Sequence, residues 1–295
     1  MTDDRILEKD SPSKWLIRLI KGIAIGVGAI LPGLSGGVLA VIFNLYEPIL
    51  RFLGNMRVNF RKNMLYFIPV GLGTGLGIIL FSLFVEKAFG QYATLFTCLF
   101  IGFVAGTLPM LFRTAGKEGR HNSDLTILIG AAVIVLIVMV FGGSMAAQIT
   151  PSFSAWLLSG ALIGLGVIIP GLSPSNFLIY LGLYDKMAAG ISALNLGVII
   201  PLAVGLILCV LLFAKGSNWL FNHHYSKMYH LILGTVIGSS LAIFPTVVLP
   251  SLTAQNLVES GMTLPVALFL SVLMFIVGAI FSFWFSNVEA RYSVE

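Results

Sequence analysis

The residues of this chain best suited to chemistry sit in two serine-bearing turns, 138 positions apart. The first reads Pro32-Gly33-Leu34-Ser35-Gly36-Gly37 and the second Pro170-Gly171-Leu172-Ser173-Pro174-Ser175-Asn176. Proline removes a backbone donor and glycine admits positive φ, so a helix arriving at either turn must stop there. The amides that follow are then left without intrahelical partners. Those N–H groups, the hydroxyls of Ser35, Ser173 and Ser175 and the amide of Asn176 are neutral donors that suit a phosphate or carboxylate without burying a cation. Gly36 and Gly37 let an anion approach the first backbone closely. Pro174 stands where the first copy has Gly36, so Ser175 and Asn176 are expected to act there by side chain. A plainer role, capping their own half-helices, is open to the same serines, and one hydroxyl can serve both. Glu47 and Asp185, the acidic residues of the two stretches, occupy equivalent positions. Either they titrate or hold a coupling ion such as H+ or Na+, or they mark helix ends at the membrane interface beside Arg51 and Lys186.

Each turn lies inside a longer repeated stretch. Gly22 to Glu47 aligns with Gly160 to Asp185 without a gap, and Gly26, Gly28, Leu45 and Tyr46 recur as Gly164, Gly166, Leu183 and Tyr184. From the paired glycine to the break there are about ten apolar residues, or about 15 Å of helix, half of a hydrocarbon core. An interrupted helix in corresponding places of two repeats is the sequence mark of a transporter binding site. Re-entrant segments are therefore expected at 22–50 and 153–190. Two short crossings per segment have the same parity and remain open, and a proline kink in an ordinary spanning helix is the simpler alternative. Tyr46 and Tyr184 are expected to anchor at the interface.

Of the 295 residues, 58% are hydrophobic and 10% charged, and the mean hydropathy is +1.00. Such a composition belongs to an integral membrane protein, here a single membrane domain over 1–295. The net charge of +5 comes from basic residues in short loops beside apolar spans, which argues for orientation and against a nucleic-acid partner. Cys98 and Cys209 fall within apolar runs and read as packing residues. His121, His223, His224 and His230 lack metal-ligand spacing, so no metal and no cofactor is expected. Ser11-Pro12 reads as a helix start, with Lys14, Arg18 and Lys21 on one face and Trp15, Leu16, Leu19 and Ile20 on the other, as in an interfacial helix.

Apolar spans are expected at about 64–85, 92–112 and 125–141 in the first half and at about 196–213, 229–249 and 264–285 in the second. Pro69, Gly73, Gly102 and Gly106 find partners in Pro201, Gly205, Gly234 and Gly238 at a constant offset of 132. The fold class is therefore all-α and polytopic, with repeats at 15–145 and 152–288. Each is a broken-helix hairpin followed by three transmembrane helices. Three crossings per half would insert the second half upside down. In that arrangement 15 of the 17 Lys and Arg residues face one side and Lys87 and Lys186 the other, which makes the rich side, with both termini, cytoplasmic.

The doubled Pro-Gly-Leu-Ser motif, each copy closing on Leu-Tyr and a carboxylate, resembles the bacterial polyprenyl-phosphate transporter family, formerly a membrane family without known function. The likeness covers nearly the whole chain. It implies a flippase of the inner membrane that returns undecaprenyl phosphate, the spent lipid carrier of cell-envelope synthesis, to the cytoplasmic leaflet. On the residues alone a secondary transporter of a small anion fits the same architecture. A membrane lipid phosphatase fits less well, because it needs a nucleophile beside a basic cluster and neither repeat motif contains a histidine.

Overall fold

A computed structural model describes residues 12–31, 39, 40, 43, 45, 48, 49, 52, 59–142, 149–169 and 174–292, and among them the protein is helical without strands. In chain order the helices are α1 (Pro12–Ile30), α2 (Phe60–Ala115), α3 (Asn122–Phe141), α4 (Phe153–Ile168), α5 (Pro174–Tyr180), α6 (Tyr184–Ser192), α7 (Leu196–Ile243), a π-helical turn (Phe244–Val248) leading into Leu249–Ser251, α8 (Ala254–Glu259) and α9 (Leu264–Tyr292). Stretches long and apolar enough to cross a membrane occur at Phe60–Ala115, Asn122–Phe141, Leu196–Phe213, His223–Ser251 and Leu264–Val288. Their outer faces carry bare Ile129, Ile134, Val138, Phe269, Ile280 and Trp284, a surface suited to lipid. Helices are the expected solution there, because each satisfies its own backbone groups.

α2 and α7 are too long to be single rods, and each turns back on itself. The backbone leaves helical geometry at Tyr92 (φ −136°, ψ 44°) and at His224 (φ −139°, ψ 42°). Across the first turn Phe84 meets Phe96, with ring centroids 5.4 Å apart, where an unbroken helix would hold residues so spaced about 18 Å apart. Phe221 meets Tyr229 at 5.3 Å across the second. Tyr92 and His224 are themselves 132 positions apart, the offset of the matched prolines and glycines.

Glycines set how these helices meet. A Cβ on Gly22 would strike the Val70 carbonyl oxygen and one on Gly73 the Leu19 carbonyl oxygen, so α1 and the first arm of α2 touch backbone to backbone. The second half repeats the contact: Gly160 lies on the Leu202 carbonyl and Gly205 on the Leu157 carbonyl, joining α4 to the first arm of α7. The second arms are covered from the other half. Gly102 and Gly106 of α2 lie on the carbonyls of Phe275 and Ala279 in α9, and Gly234 and Gly238 of α7 lie on those of Leu128 and Ala132 in α3. Phe275 and Leu128, like Ala279 and Ala132, are 147 positions apart. Each half thus gives its last helix to the other.

α1 runs unbroken from Pro12 to Ile30, so the helix expected to start at Pro12 continues straight into the first repeated stretch. One expectation is corrected on its basic face: Arg18 is buried with its guanidinium 4.4 Å from the centre of the Tyr66 ring, while Lys14, Trp15, Leu16 and Ile20 are exposed. The stem of an arginine packs well on a ring whose face attracts its charge, and the apolar residues are left for lipid.

The glycine contacts generate a prediction with an internal control. Gly71 and Gly75 have open space where a Cβ would go, so Gly71→Ala and Gly75→Ala should leave the thermal stability of the purified protein unchanged or raise it by about 0.5–1 kcal/mol. Gly73→Ala, in the same helix, should lower it by about 1–3 kcal/mol because the added methyl meets backbone that cannot move aside.

Candidate functional site

The two repeated stretches meet in one core. Ile30 at the end of α1, Leu178 of α5, Leu183 and Tyr184 at the start of α6 and Phe100 of α2 belong to a single buried cluster that also takes in Ala242 and Ile243 of α7. Pro32, Gly33, Ser35, Gly36, Gly37 and Glu47 of the first copy, and Pro170, Gly171 and Ser173 of the second, lie outside the described residues. Ser175, Asn176 and Asp185 lie within them.

Both breaks are flanked by contacts that bring the chain back on itself. In the first copy the Lys21 ammonium donates to the Phe43 carbonyl at 3.1 Å, joining a residue before the break to one after it. In the second, the Ile149 amide, ahead of α4, donates to the Leu181 carbonyl beyond α5 at 3.3 Å. The Tyr180 hydroxyl at the end of α5 donates to the Met139 carbonyl of α3 at 2.7 Å.

After the second break the chain does not form one continuous half-helix. α5 has seven residues and ends in a turn at Gly182, whose φ of 63° is open to glycine at little cost; there the Gly182 and Leu183 amides return to the Ile179 and Leu178 carbonyls. So short a helix carries a weak dipole. Ser175 is half-buried at its start. Asn176 is 1% exposed, and its amide donates to the hydroxyls of Ser239 at 3.1 Å and Ser240 at 3.0 Å in α7. Those two serines lie outside the repeated motif. In the sequence they follow Gly238 as an unremarkable pair within an apolar span, and nothing singles them out.

Tyr184 departs from the expectation of an interfacial anchor. It is 1% exposed, with Phe89 and Phe100 each 5.6 Å away, centre to centre, and its hydroxyl donates to the Ile30 carbonyl at 3.0 Å. Ile30 ends α1 just ahead of the first break, so its carbonyl is one of the groups the interruption strips of an intrahelical partner. A tyrosine is long enough to reach it from α6 and apolar enough to be buried doing so. Asp185, next in sequence, is half-buried in the first turn of α6, where the helix dipole favours a carboxylate. On the same element Ser192 donates to Glu86 of α2 at 2.6 Å.

His230 is also unlike the loop or interface histidine expected: it is wholly buried in α7, and Asp124, at the head of α3, is 2% exposed beside it. His121 has the loop role, its imidazole and the Asp124 carboxylate forming the capping box of α3. Among the described residues, no three His, Cys, Asp or Glu side chains gather as a metal site would require.

The family model for undecaprenyl phosphate translocase-like proteins matches residues 5–124 and 63–260. The chain belongs to that family. Among its relatives a polyprenyl-phosphate transporter of Staphylococcus aureus is 24% identical over 94% of this chain and 98% of its own length. A polyprenyl-phosphate transporter of Vibrio cholerae is 22% identical over 78% of each chain. No solved structure matches the chain significantly. Family membership and the architecture agree: a multi-pass, all-helical membrane protein whose two repeated stretches are joined in its core.

The Tyr184 contact is directly testable. Tyr184→Phe keeps the ring and removes the donor, leaving the Ile30 carbonyl buried without it, and should cost about 1–3 kcal/mol in unfolding of the purified protein. Unchanged stability would show that the carbonyl has another partner.

Proposed function

We propose that this protein moves undecaprenyl phosphate across the bacterial inner membrane, returning the lipid carrier to the cytoplasmic leaflet, and that it does so as a transporter without catalysis. The observation that carries this reading is the likeness, over nearly the full length of both chains, to a polyprenyl-phosphate transporter. Chemistry agrees with it. A phosphate head needs a polar path through the membrane, while an isoprenoid tail can remain in lipid throughout.

In this reading the two halves are inverted repeats about an axis in the membrane plane. The glycine contacts recurring at the same offsets and the matched turns at Tyr92 and His224 support it. Each broken segment enters and leaves on one side, a path supported by the Lys21–Phe43 and Ile149–Leu181 hydrogen bonds. Both termini are cytoplasmic, by the distribution of Lys and Arg. The phosphate is held between the breaks by Ser35, the backbone at Pro32, Gly33, Gly36 and Gly37, and in the second copy by Pro170, Gly171, Ser173, Ser175 and Asn176. Ser239 and Ser240 orient the Asn176 amide. Glu47 and Asp185 are the residues through which H+ or Na+ couples to movement.

Binding of a prenyl phosphate, compared with the uncharged prenol, tests the site. Loss of one hydrogen bond to a charged group costs about 1.5–3 kcal/mol, so Ser35→Ala or Ser173→Ala should weaken phosphate binding about tenfold or more while leaving prenol binding alone. Gly36→Val or Gly37→Val should be worse, since a branched side chain blocks approach to the backbone. Equal losses for both ligands would mean damaged packing, and no loss for either would place the head group elsewhere.

The path of the chain has its own test. Single cysteines introduced in the loops at 51–62 and 113–123 should react with an impermeant thiol reagent only from the cytoplasmic side. Labelling of the first loop from outside would overturn the re-entrant segment.

A further inference from the structure

The contact between α3 and the second arm of α7 holds an ionisable cluster that the reading above does not use. Asp124, one turn into α3, accepts from the His121 amide at 3.0 Å and from the Ser226 hydroxyl of α7 at 2.8 Å. One turn further along α7, the imidazole of His230 has no exposed surface. Its Nδ1 lies 2.7 Å from the Ser226 carbonyl, and a carbonyl only accepts, so Nδ1 carries the proton and donates. The tautomer is thereby fixed, leaving Nε2 with a bare lone pair, and that atom is buried without a hydrogen-bond partner. Buried polar atoms without partners are uncommon, and one on an imidazole singles out a group that changes its protonation or its surroundings.

We infer that His230, with Asp124 and Ser226, is a proton-binding site that ties the packing of α3 against α7 to pH. In the structure described here the imidazole is neutral, since a proton on Nε2 would form a cation whose new N–H meets no acceptor. Protonation therefore favours a different packing, in which Nε2–H reaches water or a carboxylate. The ionisable groups around it are few. Asp124 and His121 come from the head of α3, Glu118 from the connection ahead of it, and Tyr225, Lys227 and Tyr229 from α7 itself. α2 meets this part of α7 through Val104 and Leu108, packed with Ile232 and Val236. Asp124 is the carboxylate closest to hand for a charged His230.

The other half makes the same contact with different chemistry. Cys98 stands 132 positions before His230, Ser271 stands 147 after Asp124, and Cys98 and Ser271 face each other between α2 and α9. A thiol and a hydroxyl replace the imidazole and the carboxylate, so only one of the two equivalent contacts pairs an imidazole with a carboxylate. On the proposed orientation it is the cytoplasmic one. That coupling to transport rests on the function proposed above, whereas the proton site itself does not.

The test uses the full chain in lipid nanodiscs and proteoliposomes. Histidine C2 hydrogen exchange read by mass spectrometry should show His230 changing its protonation in one step. The protection of amides across 122–130, corrected for the intrinsic pH dependence of exchange, should fall about threefold or more as that proton binds and the contact loosens. His230→Asn keeps a donor at the Nδ1 position and should abolish that dependence while holding the alkaline level of protection; His230→Gln is the second variant should the first fail to fold. Asp124→Asn removes the carboxylate beside His230 and should alter that step. Protection across 122–130 that is independent of pH in the unsubstituted protein after that correction, or a dependence that survives both His230 variants, would overturn the proton site. In proteoliposomes the rate of prenyl-phosphate movement should follow the same midpoint. Absence of movement at every pH, with the exchange step intact, would count against the transport reading alone.

Discussion

A helix end buried away from water must find partners for the hydrogen bonds it gives up, and the core of this protein depends on how it meets that demand. α1 stops at Ile30, and the carbonyl exposed there is bonded by Tyr184, a residue 154 positions later and in the other half of the chain. Tyr184 can reach only because α6 packs against α2, where Phe89 and Phe100 close around the ring. Satisfying the first break therefore requires the second half to be folded and docked. The second copy is tied off in the same spirit, with Tyr180 bonded to the end of α3 and Asn176 to α7. Polar groups that water would otherwise satisfy have become the links that hold the two repeats together.

Glycine contacts supply the rest of that connection. In lipid there is little hydrophobic gain from pressing two apolar helices together, so association depends on close van der Waals contact, which small residues permit. α1 and α4 use such contacts within their own halves, whereas α3 and α9 use them across halves. Each second arm takes its glycine contacts from a helix of the other repeat. A shift of one half relative to the other must then carry a borrowed helix along or slide it over a glycine seam, and packed interfaces of this sort switch between discrete arrangements more readily than they deform.

Much of this was legible in the sequence because hydropathy and glycine spacing follow directly from the physics of lipid burial. The six expected spans all fall within observed helices, and α1 and α4 end at Ile30 and Ile168, just ahead of the two Pro-Gly-Leu-Ser motifs. What escaped notice depends on partners distant in sequence. Gly102 and Gly106 announce a close approach but cannot say that α9 makes it. Tyr184 has the composition of an interfacial anchor, and only the position of α6 beside Ile30 gives it a different role. Arg18 was expected in the interface with Lys14 and Lys21, yet a ring at Tyr66 made burial the better option for its stem. Asp124 sits among loop charges in the sequence, and its pairing with α7 follows from the exchange of α3.

Where the two halves agree and where they differ follows a pattern. Matched backbone contacts are kept: Gly22 with Val70 and Gly160 with Leu202, Gly102 with Phe275 and Gly234 with Leu128. Matched side chains have diverged: Pro174 against Gly36, Asn176 against Val38, His230 against Cys98, Asp124 against Ser271. For a carrier of the kind proposed, a shared backbone frame makes the inward-facing and outward-facing packings nearly equal in energy, since each is the other with the halves exchanged. Nearly equal states are what a transporter needs, because a site trapped on one side carries nothing. Any bias between them must then come from the positions where the halves differ, and small changes suffice: about 1.4 kcal/mol shifts such a balance tenfold. For the carrier proposed, the differences at the second break and at the α3–α7 contact are among those that would supply such a bias.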